Sequence, residues 1–180
     1  MVAIQTFTSH PMKSTILVSF LLLVSTIAQA ETTVTLEGVH NCCKGCTNGI
    51  IKAAADLKDV TVTAEGETVT IVSKSKTNAK KAVEAIMDAG YYGTSSEPSA
   101  AASSTIVKPA KKLTTATVTS VHLCCQKCVN AMTDAVKSTP GVTEYNIVNK
   151  QNSFTVKGDF TESDLIASLN KAGFHGSVGK

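Results

Sequence analysis

The chain repeats itself. The octet "VHNCCKGC" (Val39–Cys46) returns 82 residues later as "VHLCCQKC" (Val121–Cys128), and these two octets hold all 6 cysteines. The likeness runs on: "AVEAIMDAGYYG" is echoed by "LIASLNKAGFHG", at an offset of 83. A duplication with so constant a period restricts the fold to two copies of one small unit. Each copy has about 65 residues, small but enough to bury a core of its own. Between them lies "SSEPSAAASSTIVKPAKK", rich in Ser, Ala, Pro and Lys and without a hydrophobic period. That composition reads as a flexible linker. The expected division is a leader over residues 1–30, a first domain over 31–94, a linker over 95–113 and a second domain over 114–180.

Within each copy the hydrophobic period switches in the same order. Val34 and Leu36 alternate with Thr33, Thr35 and Glu37, and Ala116 and Val118 do likewise, which predicts strands. After the cysteines the spacing becomes helical, through Ile50, Ile51, Ala54 and Leu57 and through Met132, Ala135 and Val136. "VTVTAEGETVTIV" and "VTEYNIVNKQNSFTVKG" then alternate about a turn, as hairpins do. A second helical stretch follows, with Ala79, Val83 and Ile86 matched by Leu165, Ile166 and Leu169. Gly90 and Gly173 stand where a helix C-terminus favours glycine. The order β-α-β-β-α-β, written twice, predicts an α+β protein of two ferredoxin-like domains. Each would have a four-stranded antiparallel sheet covered on one face by two helices.

The N-terminus reads differently. Lys13 precedes an apolar run from Ile16 to Ile27, and Ala28-Gln29-Ala30 follows. This is the layout of a cleavable secretory signal peptide, with Glu31 as the first mature residue and Met12 an alternative start. The run of about 12 residues falls short of the ~20 that a spanning helix requires. A secreted or periplasmic mature chain without a membrane span is the expectation.

Composition excludes several functions. All cationic side chains are lysines, there is no tryptophan, and aromatics make up 4%. Forked arginine contacts and stacking platforms, the usual means of holding nucleic acid, are thus lacking. No carboxylate pair, Ser-His arrangement or phosphate loop suggests catalysis, so a non-enzymatic role is expected.

The cysteines remain. Cys43 and Cys46, and likewise Cys125 and Cys128, form C-x-x-C pairs between a strand and a helix start. One sulfur comes from the loop and one from the first turn. A helix N-terminus favours thiolate, and thiolates are soft ligands for Cu(I), Zn(II) or similar ions. With C-x-x-C in this position and a Gly-aromatic pair after the second helix, each repeat resembles the heavy-metal-associated domains. These include copper chaperones, modules of copper-transporting ATPases and periplasmic mercury-binding proteins. The resemblance implies Cys43, Cys46, Cys125 and Cys128 as metal ligands and Tyr91 and Phe174 as loop aromatics near the site. It implies a carrier or buffer for Cu(I) foremost, or for Hg(II) or Zn(II), exchanging its ion with a membrane transporter or another thiol protein. Where that family has G-M-x-C-x-x-C, this chain has His40-Asn41 and His122-Leu123 before a doubled cysteine. Cys42 and Cys124 could add a third thiolate or pack as small apolar residues. His40, His122 and His175 could ligate, support a ligand or merely pack. The rival reading is an exported redox or disulfide-stapled interaction module without metal.

Overall fold

A computed structural model describes residues 31–97 and 111–179. The expected signal peptide and most of the expected linker lie outside these residues.

The first repeat runs β1 (Thr32–Glu37), α1 (Lys44–Ala53), β2 (Val60–Glu65), β3 (Thr68–Ser73), α2 (Lys76–Asp88) and β4 (Thr94–Ser95). The second runs β5 (Lys112–Thr119), α3 (Gln126–Lys137), β6 (Val142–Tyr145), β7 (Ser153–Thr161), α4 (Glu162–Lys171) and β8 (Ser177–Gly179). Their sheets have the orders β2-β3-β1-β4 and β6-β7-β5-β8, with every pairing antiparallel. These are the two ferredoxin-like domains the periodicity predicts.

Alternation along the strands decides which face is buried. Val34 and Leu36 on β1, Val69 and Ile71 on β3, and Ala116 and Val118 on β5 all point into the core. Ile50 of α1, Val83 and Ile86 of α2, Met132 and Val136 of α3, and Leu165 and Leu169 of α4 cover them. Helix α1 is shorter than its hydrophobic spacing suggests. It stops at Ala53, so that Ala54 caps it and Leu57 packs from the following turn, while Ile51 faces solvent. Two helices begin on side-chain caps, Ser75 for α2 and Thr161 for α4, each satisfying an amide that the helix leaves open.

The strands extend into both ends of the segment expected as linker. Ser95 lies in β4 opposite Leu36, and Lys112 and Leu113 open β5 opposite Thr161 and Phe160. One apolar residue among lysines and threonines gives little local signal. Its partner, Phe160, is almost 50 residues away in sequence and supplies the pairing.

The two cores join. Tyr91 and Phe174, both buried, form an antiparallel bridge between the repeats. The Tyr92 amide donates to the Gly173 carbonyl (3.0 Å), and the His175 amide donates to the Gly90 carbonyl (3.1 Å). These bonds exchange when the repeats are exchanged, so the interface has approximate two-fold symmetry. Gly90 and Gly173 have φ of 94° and 79°, left-handed values that suit glycine after a helix. A Cβ on Gly90 would also collide with the His122 amide, and one on Gly173 with the His40 amide. Each glycine both ends a helix and lets the opposite repeat's backbone approach.

Candidate metal centre

Docking in this way brings the two cysteine loops face to face. Cys43 is the N-cap of α1 and Cys125 the N-cap of α3, both with extended backbone. Cys46 and Cys128 lie in the first turns of those helices and are fully buried, whereas the other four cysteines are half-buried. All six are free thiols. Their sulfurs form one group. Within the C-x-x-C pairs the separations are 3.8 Å (Cys43–Cys46) and 3.7 Å (Cys125–Cys128). Between repeats they are as short: 3.6 Å for Cys46–Cys124, 3.7 Å for Cys46–Cys128, 3.7 Å for Cys42–Cys125 and 3.8 Å for Cys43–Cys124.

Cys42 and Cys124 therefore belong to the sulfur group and do not simply pack against one wall of it. Cys42 contacts Cys46 and Cys128 at 3.8 and 3.7 Å, and Cys124 contacts Cys128 at 3.7 Å. Six thiols this close cannot all ionise unaided, because each new charge meets another within 4 Å. The titration pattern follows from this. A hydrogen bond from Cys128 holds the Cys46 thiol well below the usual range, and the same bond, with burial, pushes Cys128 up. The shift belongs to the pair, which favours its first charge and resists its second. Burial pushes Cys42 up to about 12 and also raises Cys124. Cys125 is lowered to about 7, chiefly by the backbone N–H of Cys128 at the start of α3. Ionising all six together would require cations among them, and sulfur donors select soft ones.

The octet histidines reach across the interface. His40 stacks on Phe174 with ring centroids 4.3 Å apart, and His122 lies against Tyr91 at 4.4 Å. The Tyr91 hydroxyl and His122 Nε2 are hydrogen-bonded at 2.9 Å, whereas the buried His40 Nε2 has no partner. Burial lowers the His40 pKa. His40 groups with Cys42 and Cys128, and His122 with Cys46, Cys124 and Cys128, donor atoms within 4.8 Å in each set. His175 is in none of these groups; its surroundings include Asp88 and the Met87 backbone. Burial raises the Tyr91 hydroxyl pKa, and the nearby cysteines add to the shift.

The other departures from G-M-x-C-x-x-C have local explanations. Leu123 is buried and fills the apolar place of the methionine. Asn41 instead accepts a hydrogen bond from Thr47 Oγ1 at 2.9 Å, fastening the loop to α1. Sequence reasoning missed the cross-repeat ring pairs. Their one signal was that His40 and His122, Tyr91 and Phe174 recur at matching places in both copies.

Residues 117–175 match the family model of the heavy-metal-associated domain. The second repeat is a heavy-metal-associated domain. The first shares its topology and its cysteine loop, and the joined thiol group fits thiolate binding. No curated protein sequence matches the chain. Among solved structures, the N-terminal soluble domains of Bacillus subtilis CopA are 17% identical, with a TM-score of 0.31, over 84% of this chain and 95% of that one. A second structure, of the water-soluble region of the P-type ATPase CopA from Bacillus subtilis, is 16% identical, with a TM-score of 0.30, over 84% and 93%. Among the described residues no helix is long and apolar enough to cross a membrane.

Proposed function

We propose that this protein is an exported carrier or buffer of soft metal ions, Cu(I) foremost, which holds its cargo on cysteine thiolates and does not catalyse a reaction. The observation that carries this reading is the convergence of all six sulfurs, 3.6–4.0 Å from their neighbours, at the starts of two helices. Helix N-termini stabilise thiolate, and thiolates prefer Cu(I) over hard ions. The leader-like N-terminus supports export with Glu31 as the mature terminus. Half-buried Cys42, Cys43, Cys124 and Cys125 leave sulfur within reach of an incoming thiol. Cargo would pass by stepwise ligand replacement to a thiol site on another protein or a membrane transporter.

The test is uptake by the mature chain. Protein purified from the exported fraction should begin at Glu31, carry reducible thiols and bind Cu(I) in competition with a chromophoric chelator. Cys43→Ser combined with Cys125→Ser should weaken binding at least tenfold. If affinity is unchanged in that variant, the thiolate reading is wrong. If the cysteines are isolated as disulfides and their reduction restores no uptake, the redox or stapled module replaces it.

A further inference from the structure

Deepening that reading, and resting on it, we infer that the six cysteines build one polynuclear Cu(I)–thiolate centre shared by both repeats, with four ions on six bridging sulfurs.

The sulfurs cannot be divided into two C-x-x-C sites on distance. Cys43 is 3.8 Å from its own partner Cys46 and 3.8 Å from Cys124 of the other repeat. Cys128 is 3.7 Å from Cys125 and 3.7 Å from Cys46 and Cys42. Nor do the distances suit linear coordination. Two metal–thiolate bonds of ~2.3 Å in line need sulfurs ~4.6 Å apart. The observed separations suit ions at the centres of sulfur triangles. Cys42, Cys125 and Cys128 form one with edges of 3.7, 3.7 and 3.7 Å, and Cys46, Cys124 and Cys128 another with edges of 3.6, 3.7 and 3.7 Å. The centre of such a triangle is about 2.1 Å from each corner, close to a metal–thiolate bond length. These two triangles share one corner, Cys128, which would bridge two ions.

The sulfurs trace a distorted octahedron, with Cys42 opposite Cys124, Cys43 opposite Cys128 and Cys46 opposite Cys125; all its edges are contacts of 3.6–4.0 Å except Cys42–Cys43 and Cys124–Cys125, which are looser but within 4.8 Å. Alternate faces of an octahedron number four, and every corner belongs to two of them. Four three-coordinate ions then make twelve bonds, two per sulfur, and use all six cysteines. The contacts close into triangles but into no set of four mutually touching sulfurs, so they disfavour an ion that demands four thiolates, as structural Zn(II) does. Loading displaces six thiol protons and brings in four positive charges, leaving a centre of charge −2 without any change of oxidation state. The starts of α1 and α3, where Cys43 and Cys125 sit as N-caps, face that charge with their partial positive ends.

The doubled cysteine is the feature that separates one centre from two. Anaerobic titration of the reduced mature chain with Cu(I), followed by native mass spectrometry, should pass from empty protein to four ions with intermediates scarce. X-ray absorption should show about three sulfurs and a copper neighbour around each copper. Stepwise filling to two ions, with two sulfurs each and no copper neighbour, overturns the shared centre but leaves the proposed carrier function standing. No uptake at all sinks both. Cys42→Ser with Cys124→Ser keeps both C-x-x-C pairs. It should lose the copper–copper signal and fall to two ions or fewer; four ions still bound would refute the inference. Cys42→Ser alone, at a half-buried position, offers the same readout if the double variant does not fold.

Discussion

Replacing Gly173 by alanine tests the docking of the repeats. Gly173 has φ of 79°, and a left-handed alanine costs about 1–2 kcal/mol. Its new methyl would collide with the His40 amide and approach the Val39 carbonyl carbon at 2.9 Å. Both are backbone atoms of the other repeat and cannot rotate away. Relief requires the repeats to separate locally. That would break the bonds from the His40 amide (3.2 Å) and the Tyr92 amide (3.0 Å) to the Gly173 carbonyl, each worth about 1 kcal/mol. The sum is about 3–4 kcal/mol. Gly66→Ala is the control: its φ is 56° and nothing lies within 4 Å of the added carbon, so it should cost only the conformational ~1–2 kcal/mol. Amide hydrogen exchange reads the difference. In Gly173→Ala the His40, Tyr92 and His175 amides should lose protection roughly a hundredfold or more, and in Gly66→Ala they should not. Equal protection in the two variants would show that the repeats are not docked through this interface.

Gly49, inside α1, offers a double-mutant cycle. Alanine there should gain about 1 kcal/mol by helix propensity. Its methyl would instead strike the Tyr91 hydroxyl, so Gly49→Ala should destabilise in urea unfolding and Tyr91→Phe should rescue it, with a coupling of about 1 kcal/mol or more. Thr161→Ala removes the cap on the Asp164 amide (3.1 Å) and should cost about 1 kcal/mol by the same measurement. Stripping Cu(I) from loaded protein with a soft-metal chelator should lower Tm; free ion at a hundredfold excess over Kd contributes about 2.7 kcal/mol. An unchanged Tm would mean that the folded and unfolded chains hold copper equally well.

The fold was legible because its determinants are local. The alternation of Val34 with Leu36, the helical spacing of Val83 with Ile86, and the glycines after α2 and α4 each act within a few residues. The four C-x-x-C cysteines were legible for the same reason, as loop and first-turn positions of two helices. What a local period does not carry is the placement of one repeat against the other. His40 finds its ring partner in Phe174 and His122 finds Tyr91, at sequence separations that no helical or strand spacing links. The nearness of Cys42 to Cys125 and Cys128 has the same origin. Leu113 likewise gains its strand only through Phe160.

The near-symmetry of the interface carries one more consequence. When two identical subunits meet about a two-fold axis, every substitution enters twice, and a surface must fit its own copy. Covalent duplication lifts that constraint. Here one half of the junction has a tyrosine whose hydroxyl is bonded to His122, while the other has a phenylalanine and leaves His40 Nε2 unclaimed. The two halves have been free to specialise, one toward holding the halves together and the other toward a nitrogen still available beside the sulfurs.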